Sequence, residues 1–236
     1  MKPDLLILRP EPGASRTAAH ARSLGLSAIA APLFEIISVD WTPPDPALFD
    51  AVIVTSVHAA RQAGPAISLY RTLPCYAVGD ASAAAAAQAG FSEVIVGPSD
   101  GAALVAMMDE AGVANAFHPC GRDHIPLASS FRIEKRIVYA ALAADRLPER
   151  AATALKGGAI ALLHSPRAAH CFGQLLDQAG IERASVRLAA ISPAAAEAAG
   201  EGWKNLSVAD IPRDHALLEL AASLCKTDRT SMESDG

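Results

Sequence analysis

Short apolar runs alternate with longer stretches in which apolar residues recur at helical spacing, and this order repeats along nearly the whole chain. Apolar runs bounded by glycine, proline or serine are typical of buried strands, and their alternation with helices is typical of parallel α/β sheets. The pattern predicts strands at residues 4–8, 27–31, 51–55, 74–78, 93–96, 114–118, 136–140, 158–163, 186–191 and 205–209. It predicts helices at residues 14–24, 80–89, 100–111, 166–179, 193–201 and 213–225. The expected fold class is therefore α/β with parallel sheets.

Two stretches interrupt this alternation and are candidates for crossings between two lobes, because so many strands exceed the content of one small doubly wound domain. In the first, residues 35–46, closely spaced prolines exclude a helix and favour extended chain. In the second, residues 139–147, an apolar strand gives way to a run of alanines. The resulting boundaries are residues 1–36 and 141–226 for lobe one, 37–140 for lobe two, and 227–236 for a polar tail that we expect to be disordered.

The composition narrows the classes of ligand. The chain has 236 residues, of which 51% are hydrophobic and 5% aromatic, so it is long and apolar enough to bury a core. Its formal net charge of −5 argues against a nucleic-acid-binding protein, whose surface would have to be basic. Any anionic ligand must therefore be held by positive groups that are local to its site.

The cysteines and the N-terminal segment predict a cytoplasmic protein without a membrane segment. The four cysteines are far apart and form no Cys-x-x-Cys pair, which is typical of reduced thiols and not of a disulfide framework. Lys2-Pro3-Asp4 leads directly into a strand without the residue order of a signal peptide. No apolar run reaches the length that a membrane span needs.

Several predicted strands end in a residue that can hold an anion at the start of a helix. One strand ends at Ser56 and a second at Ser165, where a serine N-cap lies beside the positive end of the helix dipole. About two dozen residues after each serine, a further turn opens an alanine-rich helix, at Gly79 and at Ser192. A single turn of this kind usually only caps its helix. The matched pairs predict two similar half-sites for one polyanionic ligand.

Other candidate chemistry is limited. Arg9 and Arg122 follow a third pair of strands, where arginine can bind a carboxylate through two hydrogen bonds. The histidines do not share one helical face at the spacing of a metal site, so no metal is expected. The Gly79 turn lacks the Gly-x-Gly-x-x-Gly fingerprint, which disfavours a nucleotide-dependent enzyme.

Seven short motifs occur along residues 5–225 in an order that one known family shares. They are Leu8-Arg9-Pro10-Glu11-Pro12-Gly13, Ala31-Pro32-Leu33-Phe34-Glu35-Ile36, Phe49-Asp50-Ala51-Val52-Ile53-Val54-Thr55-Ser56, Tyr76-Ala77-Val78-Gly79-Asp80-Ala81-Ser82, Val138-Tyr139, His164-Ser165-Pro166-Arg167 and Ile191-Ser192-Pro193. In this order the chain resembles the uroporphyrinogen-III synthase family. The resemblance implies two Rossmann-like parallel-sheet lobes joined by a two-stranded connector, with the active site in the inter-lobe cleft.

The resemblance also implies a reaction and its participants. Linear hydroxymethylbilane would be cyclised to uroporphyrinogen III with loss of water and inversion of ring D, without a metal or an organic cofactor. It implies a monomer that receives its substrate from hydroxymethylbilane synthase, with no nucleic-acid or membrane partner. The alternative is a non-catalytic two-lobed binding protein for a small polycarboxylate metabolite.

The family's functional positions map onto this sequence residue by residue. Tyr139 matches the connector-strand tyrosine that donates to the departing hydroxyl, although it is also the type of residue that packs between lobes with its hydroxyl satisfied. The expected substrate-binding residues are Arg9, Thr55, Ser56, Gly79, Ser82, Arg122, Ser165, Pro166, Arg167 and Ser192. The chain departs from the family pattern at Leu8, Val57-His58 and Ala194-Ala195, where the family often carries a hydroxyl residue, a small residue with asparagine, and threonine.

Overall fold

The computed structural model describes residues 3–98 and 100–233, with side chains described up to Cys225. The strands are β1 Leu5–Ile7, β2 Ala28–Ala30, β3 Phe34–Ser38, β4 Ala51–Val54, β5 Cys75–Val78, β6 Val94–Gly97, β7 Asn115–Gly121, β8 Arg132–Ala143, β9 Ile160–Leu163, β10 Arg187–Ala190 and β11 Asn205–Val208. The helices are α1 Gly13–Ser23, α2 Val57–Gln62, α3 Gly79–Gln88, α4 Gly101–Glu110, α5 Glu149–Lys156, α6 Pro166–Gln178, α7 Pro193–Ala199 and α8 Asp214–Glu233. Short 3-10 helices lie at Pro46–Leu48, Pro65–Tyr70 and Arg183–Ser185.

The strands form a five-stranded sheet in the order β11-β10-β9-β1-β2 and a six-stranded sheet in the order β3-β8-β7-β4-β5-β6, counted over the described residues. Neighbouring strands of the first sheet pair in parallel, and so do the strands from β8 to β6 in the second. The predicted α/β fold class with two parallel sheets is confirmed. Because paired strands run in one direction, their carboxyl ends meet at one edge of each sheet.

The chain divides into two compact units. Unit one contains the described residues up to Glu35 and from Ala143 onward, and unit two contains those from Ile36 to Leu142. The boundaries fall within β3 and within β8, which are hydrogen-bonded neighbours in the six-stranded sheet. These two strands are the connector through which the chain passes between the units.

The sheet of unit one is covered by one helix that presents alanines and by another that presents leucines. Strands β1 and β9 are buried along their whole length, as apolar strands with helices on both faces are. Helix α1 packs against them through Ala14, Ala18 and Ala21, and α8 through Leu217 and Leu218. The alanine-rich composition is thus used in tight helix-on-sheet packing.

Unit two keeps several of the chain's few aromatic residues in one cluster. Phe117 of β7 stacks on Tyr70 at 4.3 Å between ring centroids and on Trp41 at 5.6 Å. The Tyr70 hydroxyl donates to the Pro44 carbonyl at 2.6 Å, and burial raises the pKa of Tyr70 to about 12. The proline-rich segment is therefore fastened to the core of unit two and is not a loose connection.

Some elements differ from the sequence-based expectation for identifiable reasons. Strand β8 runs from Arg132 to Ala143 instead of residues 136–140, since its charged first half still pairs with β7 over a long register. Helix α5 was not predicted, because Glu149–Lys156 is only 8 residues long. Strand β3 lies where the sequence suggested only extended chain.

The last helix extends beyond the predicted residues 213–225. Helix α8 continues to Glu233, so the backbone of residues 227–233 is helical. No glycine or proline interrupts the segment from Asp214 to Glu233, and nothing else in its sequence ends the helix earlier. Residues 234–236 lie outside the described residues. Among the helices that the structure describes, none combines the length and apolar composition that a bilayer crossing needs.

The aromatic cluster predicts the cost of truncating its central ring. We expect Phe117→Ala to lower the free energy of unfolding by about 3–5 kcal/mol, because the ring is fully buried and its loss leaves a cavity. Leu69→Ala is the matched control, since Leu69 is 52% exposed in the same unit. Urea unfolding followed by tryptophan fluorescence measures both. Equal stability of the two variants would contradict the placement of Phe117 in the core.

Candidate functional site

A cavity of about 580 Å³ lies at the carboxyl edge of the sheet in unit two. It is bordered by the residues that follow β4, by the last residue of β5, by the start of α4, and by the connection from β7 to β8. The lining residues are Thr55, Ser56, Val78, Asp100, Gly101, Ala102, Gly121, Asp123, His124, Ile125, Pro126, Leu127, Ala128 and Tyr139. Three of the predicted site residues, Thr55, Ser56 and Tyr139, are thus brought together in one place.

The position of Tyr139 depends on a glycine that the sequence pattern did not single out. Gly121, the last residue of β7, is paired with Tyr139 of β8 just after a register shift at Cys120. A β-carbon at Gly121 would lie 2.5 Å from Cζ and 2.8 Å from the hydroxyl oxygen of Tyr139. Any side chain there would displace the ring, so only glycine allows the phenol to cross the end of β7. The sequence signal was a glycine at a strand end before Arg122, which also fits an ordinary turn.

The surroundings of Tyr139 keep its hydroxyl protonated. Burial has the largest effect and raises the pKa of Tyr139. A side-chain hydrogen bond with Ser56 lowers this pKa by less than burial raises it, and the neighbouring Cys120 and Asp123 raise it further. The His58 ring lies beside the phenol, with 5.5 Å between the ring centroids. A neutral phenol is a hydrogen-bond donor and a potential general acid at neutral pH.

The two hydroxyl residues that precede α2 have different partners. Ser56 is the N-cap of α2, and its hydroxyl accepts a hydrogen bond from the His58 backbone N–H at 3.2 Å. The Thr55 hydroxyl lies 3.2 Å from Nε2 of His118, a fully buried residue on the neighbouring strand β7. Both residues border the cavity, and each is held in place by its hydrogen bond within the protein.

His118 is a titratable residue that is held in its neutral form. Burial lowers its pKa, aided by His124 and Lys135, to about 4. Its Nδ1 atom has no hydrogen-bond partner among the described residues. His124 is nearby, and its Nδ1 lies 2.9 Å from the Gly121 carbonyl oxygen. The part of the chain that the structure describes contains no cluster of His, Cys, Asp and Glu able to hold a metal.

The other predicted site residues of unit two, Gly79, Ser82 and Arg122, do not line the cavity. Gly79 begins α3 with a φ of +66°, a left-handed conformation that favours glycine. Ser82 is buried in the first turns of the same helix. The Arg122 side chain is exposed, and its backbone N–H donates to the Tyr139 carbonyl at 2.9 Å.

In unit one, two predicted serines cap helices at the carboxyl edge of the sheet. The Ser165 hydroxyl accepts from the Ala168 N–H at 3.2 Å at the start of α6, whose first residue is Pro166. The Ser192 hydroxyl accepts from the Ala195 N–H at 3.3 Å at the start of α7. The Arg167 guanidinium lies over the Phe34 ring, 4.7 Å from its centroid.

Arg9 is paired with an acidic residue that the sequence pattern did not reveal. Its guanidinium donates to Asp214 at 3.3 Å, and Asp214 also accepts from the Thr17 hydroxyl at 2.7 Å. Nε2 of His164 lies 3.0 Å from the same carboxylate. Burial raises the pKa of Asp214, but the hydrogen bonds with His164 and Thr17 and the charge of Arg9 outweigh it and hold the pKa well below its usual range. The charge of Arg9 is therefore largely balanced within unit one.

Comparisons with known proteins identify relatives of this arrangement. The family model described as "Uroporphyrinogen-III synthase HemD" matches residues 15–219. The uroporphyrinogen-III synthetase from Helicobacter pylori 26695 has a similar structure, with a TM-score of 0.64 and 17% identity over 95% of this chain and 100% of that chain. A mutant uroporphyrinogen III synthase from the extremely thermophilic bacterium Thermus thermophilus gives a TM-score of 0.51 and 16% identity over 96% and 99% of the two chains. No curated protein matches.

The neutral state of His118 predicts a pH dependence of stability. The unfolded chain binds a proton at this histidine near pH 6.5, whereas the folded chain does so only near pH 4, so stability is lost as the pH falls between these values. His118→Gln removes this loss. The difference in unfolding free energy between wild type and variant should change by about 3 kcal/mol from pH 7 to pH 4. His215→Gln, at an exposed position, should leave the wild-type profile unchanged. Parallel profiles for wild type and His118→Gln would contradict the buried neutral state.

Proposed function

Because the chain belongs to the uroporphyrinogen-III synthase family, we propose that the cavity residues of unit two carry out the family's cyclisation, with Tyr139 as the proton donor. The family's reaction converts linear hydroxymethylbilane to uroporphyrinogen III with loss of water and inversion of ring D. The observation that carries the proposal is the Tyr139 hydroxyl, which lies at the cavity across Gly121 and beside Ser56. No feature of the described residues favours the non-catalytic alternative.

The proposed chemistry begins at the ring A hydroxyl of the bilane. The neutral phenol of Tyr139 donates its proton to this hydroxyl as the carbon–oxygen bond breaks, and water leaves. The resulting azafulvene cation is attacked by the ring D carbon that already carries the bridge to ring C, which gives a spirocyclic pyrrolenine. The bond from this carbon to the ring C bridge then breaks, and the freed bridge carbon bonds to the unsubstituted α-carbon of ring D, which closes the macrocycle with ring D inverted. The last ring carbon then loses a proton, which restores the phenol. Protons therefore balance over the cycle, and the net change is the loss of one water.

The main task of the protein is to hold one conformation of the substrate. The activated bilane closes by itself without inversion, so the enzyme must bind a folded chain that favours the inverting route. Hydroxyls and backbone N–H groups at helix starts hold the substrate's acetate and propionate carboxylates without a large positive charge. These groups are supplied by Thr55, Ser56, Gly79, Ser82, Ser165, Arg167 and Ser192, with Arg9 and Arg122 as electrostatic partners. Pro166 has no N–H to donate, and its part is to fix the turn between Ser165 and Arg167.

The setting of the reaction follows from the instability of its substrate. A bilane that closes spontaneously must be used soon after it is made, which supports direct hand-over from hydroxymethylbilane synthase. The family resemblance supports a monomer that works in the cytoplasm.

Product analysis tests the function and the role of Tyr139 together. Purified protein is given hydroxymethylbilane, the product is oxidised, and the porphyrin isomers I and III are separated. We expect wild type to yield isomer III far faster than the blank yields isomer I. Tyr139→Phe should lower kcat by roughly 10²-fold or more, the usual range for loss of a general acid, with little change in stability.

Tyr76→Phe is the matched control for this measurement. It removes a phenol from β5 in the core of the same unit, at a residue that does not line the cavity, and should retain wild-type turnover. Isomer I alone at the rate of the blank from wild type would exclude the synthase function. Wild-type turnover by Tyr139→Phe would exclude Tyr139 as the essential donor while leaving the function intact.

A further inference from the structure

His118 is a polar residue that is buried from solvent, and the proposed reaction does not use it. The side chain is fully buried on β7, where Phe117 and Pro119 precede and follow it in the sequence. One ring nitrogen, Nε2, lies 3.2 Å from the Thr55 hydroxyl on β4. The other, Nδ1, is buried without a hydrogen-bond partner among the described residues. The His124 ring lies edge-on to it, with 6.2 Å between the ring centroids. A buried imidazole is costly, so its hydrogen bond with Thr55 is a candidate reason for its presence.

The contact with Thr55 indicates which ring nitrogen carries the proton. A neutral imidazole has one N–H donor and one acceptor nitrogen. A proton on Nδ1 would leave a buried N–H with no acceptor, and orphaned buried donors are rarer than under-satisfied acceptors. A proton on Nε2 is used, because it is donated to the Thr55 oxygen. The Nε2–H form therefore fits these surroundings better.

This arrangement leaves the Thr55 hydroxyl proton free to be donated to a group other than His118. When the oxygen accepts from His118, its own proton points elsewhere, and Thr55 borders the cavity beside Ser56. A carboxylate only accepts hydrogen bonds, so it needs a hydroxyl that presents its proton. With the proton on Nδ1 instead, Nε2 would be an acceptor, and the Thr55 hydroxyl would donate its proton to the imidazole.

We propose that His118 is a positioning residue that holds the Thr55 hydroxyl as a hydrogen-bond donor to a substrate carboxylate in the cavity. The proposal rests on the proposed function for the identity of the ligand. It assigns to β7 a second role beside that of Gly121: the strand supports the phenol at its end and orients a binding hydroxyl from its interior. His118 itself touches no substrate.

The first test reads the tautomer in the wild-type protein and needs no activity. Nitrogen chemical shifts of the histidine rings, assigned to His118 by comparison with His118→Gln, distinguish the two tautomers at pH 7. We expect the proton on Nε2. A proton on Nδ1 would overturn the proposal whatever the enzyme does.

The second test separates binding from chemistry. His118→Leu removes the donor at similar volume and should raise KM for hydroxymethylbilane about tenfold, more than it lowers kcat, as expected for one lost hydrogen bond to a charged group. His118→Gln, whose amide retains an N–H donor, should restore KM toward wild type. Thr55→Val should match His118→Leu, and the double variant should be no worse than either, because both remove the same contact.

Thr42→Val is the control, since Thr42 is exposed on unit two outside the cavity. An active wild type with an unchanged KM in His118→Leu would overturn the positioning role and leave the proposed function standing. Additive effects of the two substitutions would also overturn it. A wild type that forms no uroporphyrinogen III would overturn the proposed function, and the substrate contact with it.

Discussion

Parallel pairing of β4, β5 and β7 is the constraint on which the site of unit two depends. Strands that run in one direction end at one edge, so Thr55 after β4, Val78 of β5 and Gly121 of β7 are neighbours despite their separation in sequence. The strands themselves are apolar and buried, which requires helices on both faces and leaves the edge as the place for polar groups. Strand β8 extends this edge and adds Tyr139, and the absence of a side chain at Gly121 lets the ring cross it.

At the carboxyl edges of both sheets, the polar groups carry little uncompensated positive charge. An acidic protein with an acidic substrate cannot rely on net positive charge. In unit one the charge of Arg9 is balanced by Asp214, and in unit two burial keeps Tyr139 and His118 neutral. What each edge offers is a set of oriented hydrogen-bond donors at helix starts. Such donors recognise carboxylates by geometry, which suits an enzyme whose main task is to select one substrate conformation.

The sequence predicted those features of the fold that are local. Buried strands such as β4 and β9 follow from apolar runs, and Ser56, Ser165 and Ser192 do begin helices as N-caps. Features that depend on register or on distant contacts were not accessible. Gly121 meets Tyr139 only because of a register shift. Asp214 contacts Arg9 from the other end of the chain, and His118 on β7 contacts Thr55 after the neighbouring strand β4. The substrate contacts of the remaining site residues stay predictions.

The central claim, that the tetrapyrrole binds at the carboxyl edge of unit two, is tested most directly by mapping a bound ligand on the backbone amides. Uroporphyrin III, the oxidised form of the product, is titrated into isotope-labelled wild-type protein, and amide chemical shifts are followed by NMR. The account predicts saturable shifts at Thr55, Ser56, Gly121 and Tyr139. Shifts confined to the surface groove of unit one around Arg150 and Thr153, with none at the cavity, would contradict it.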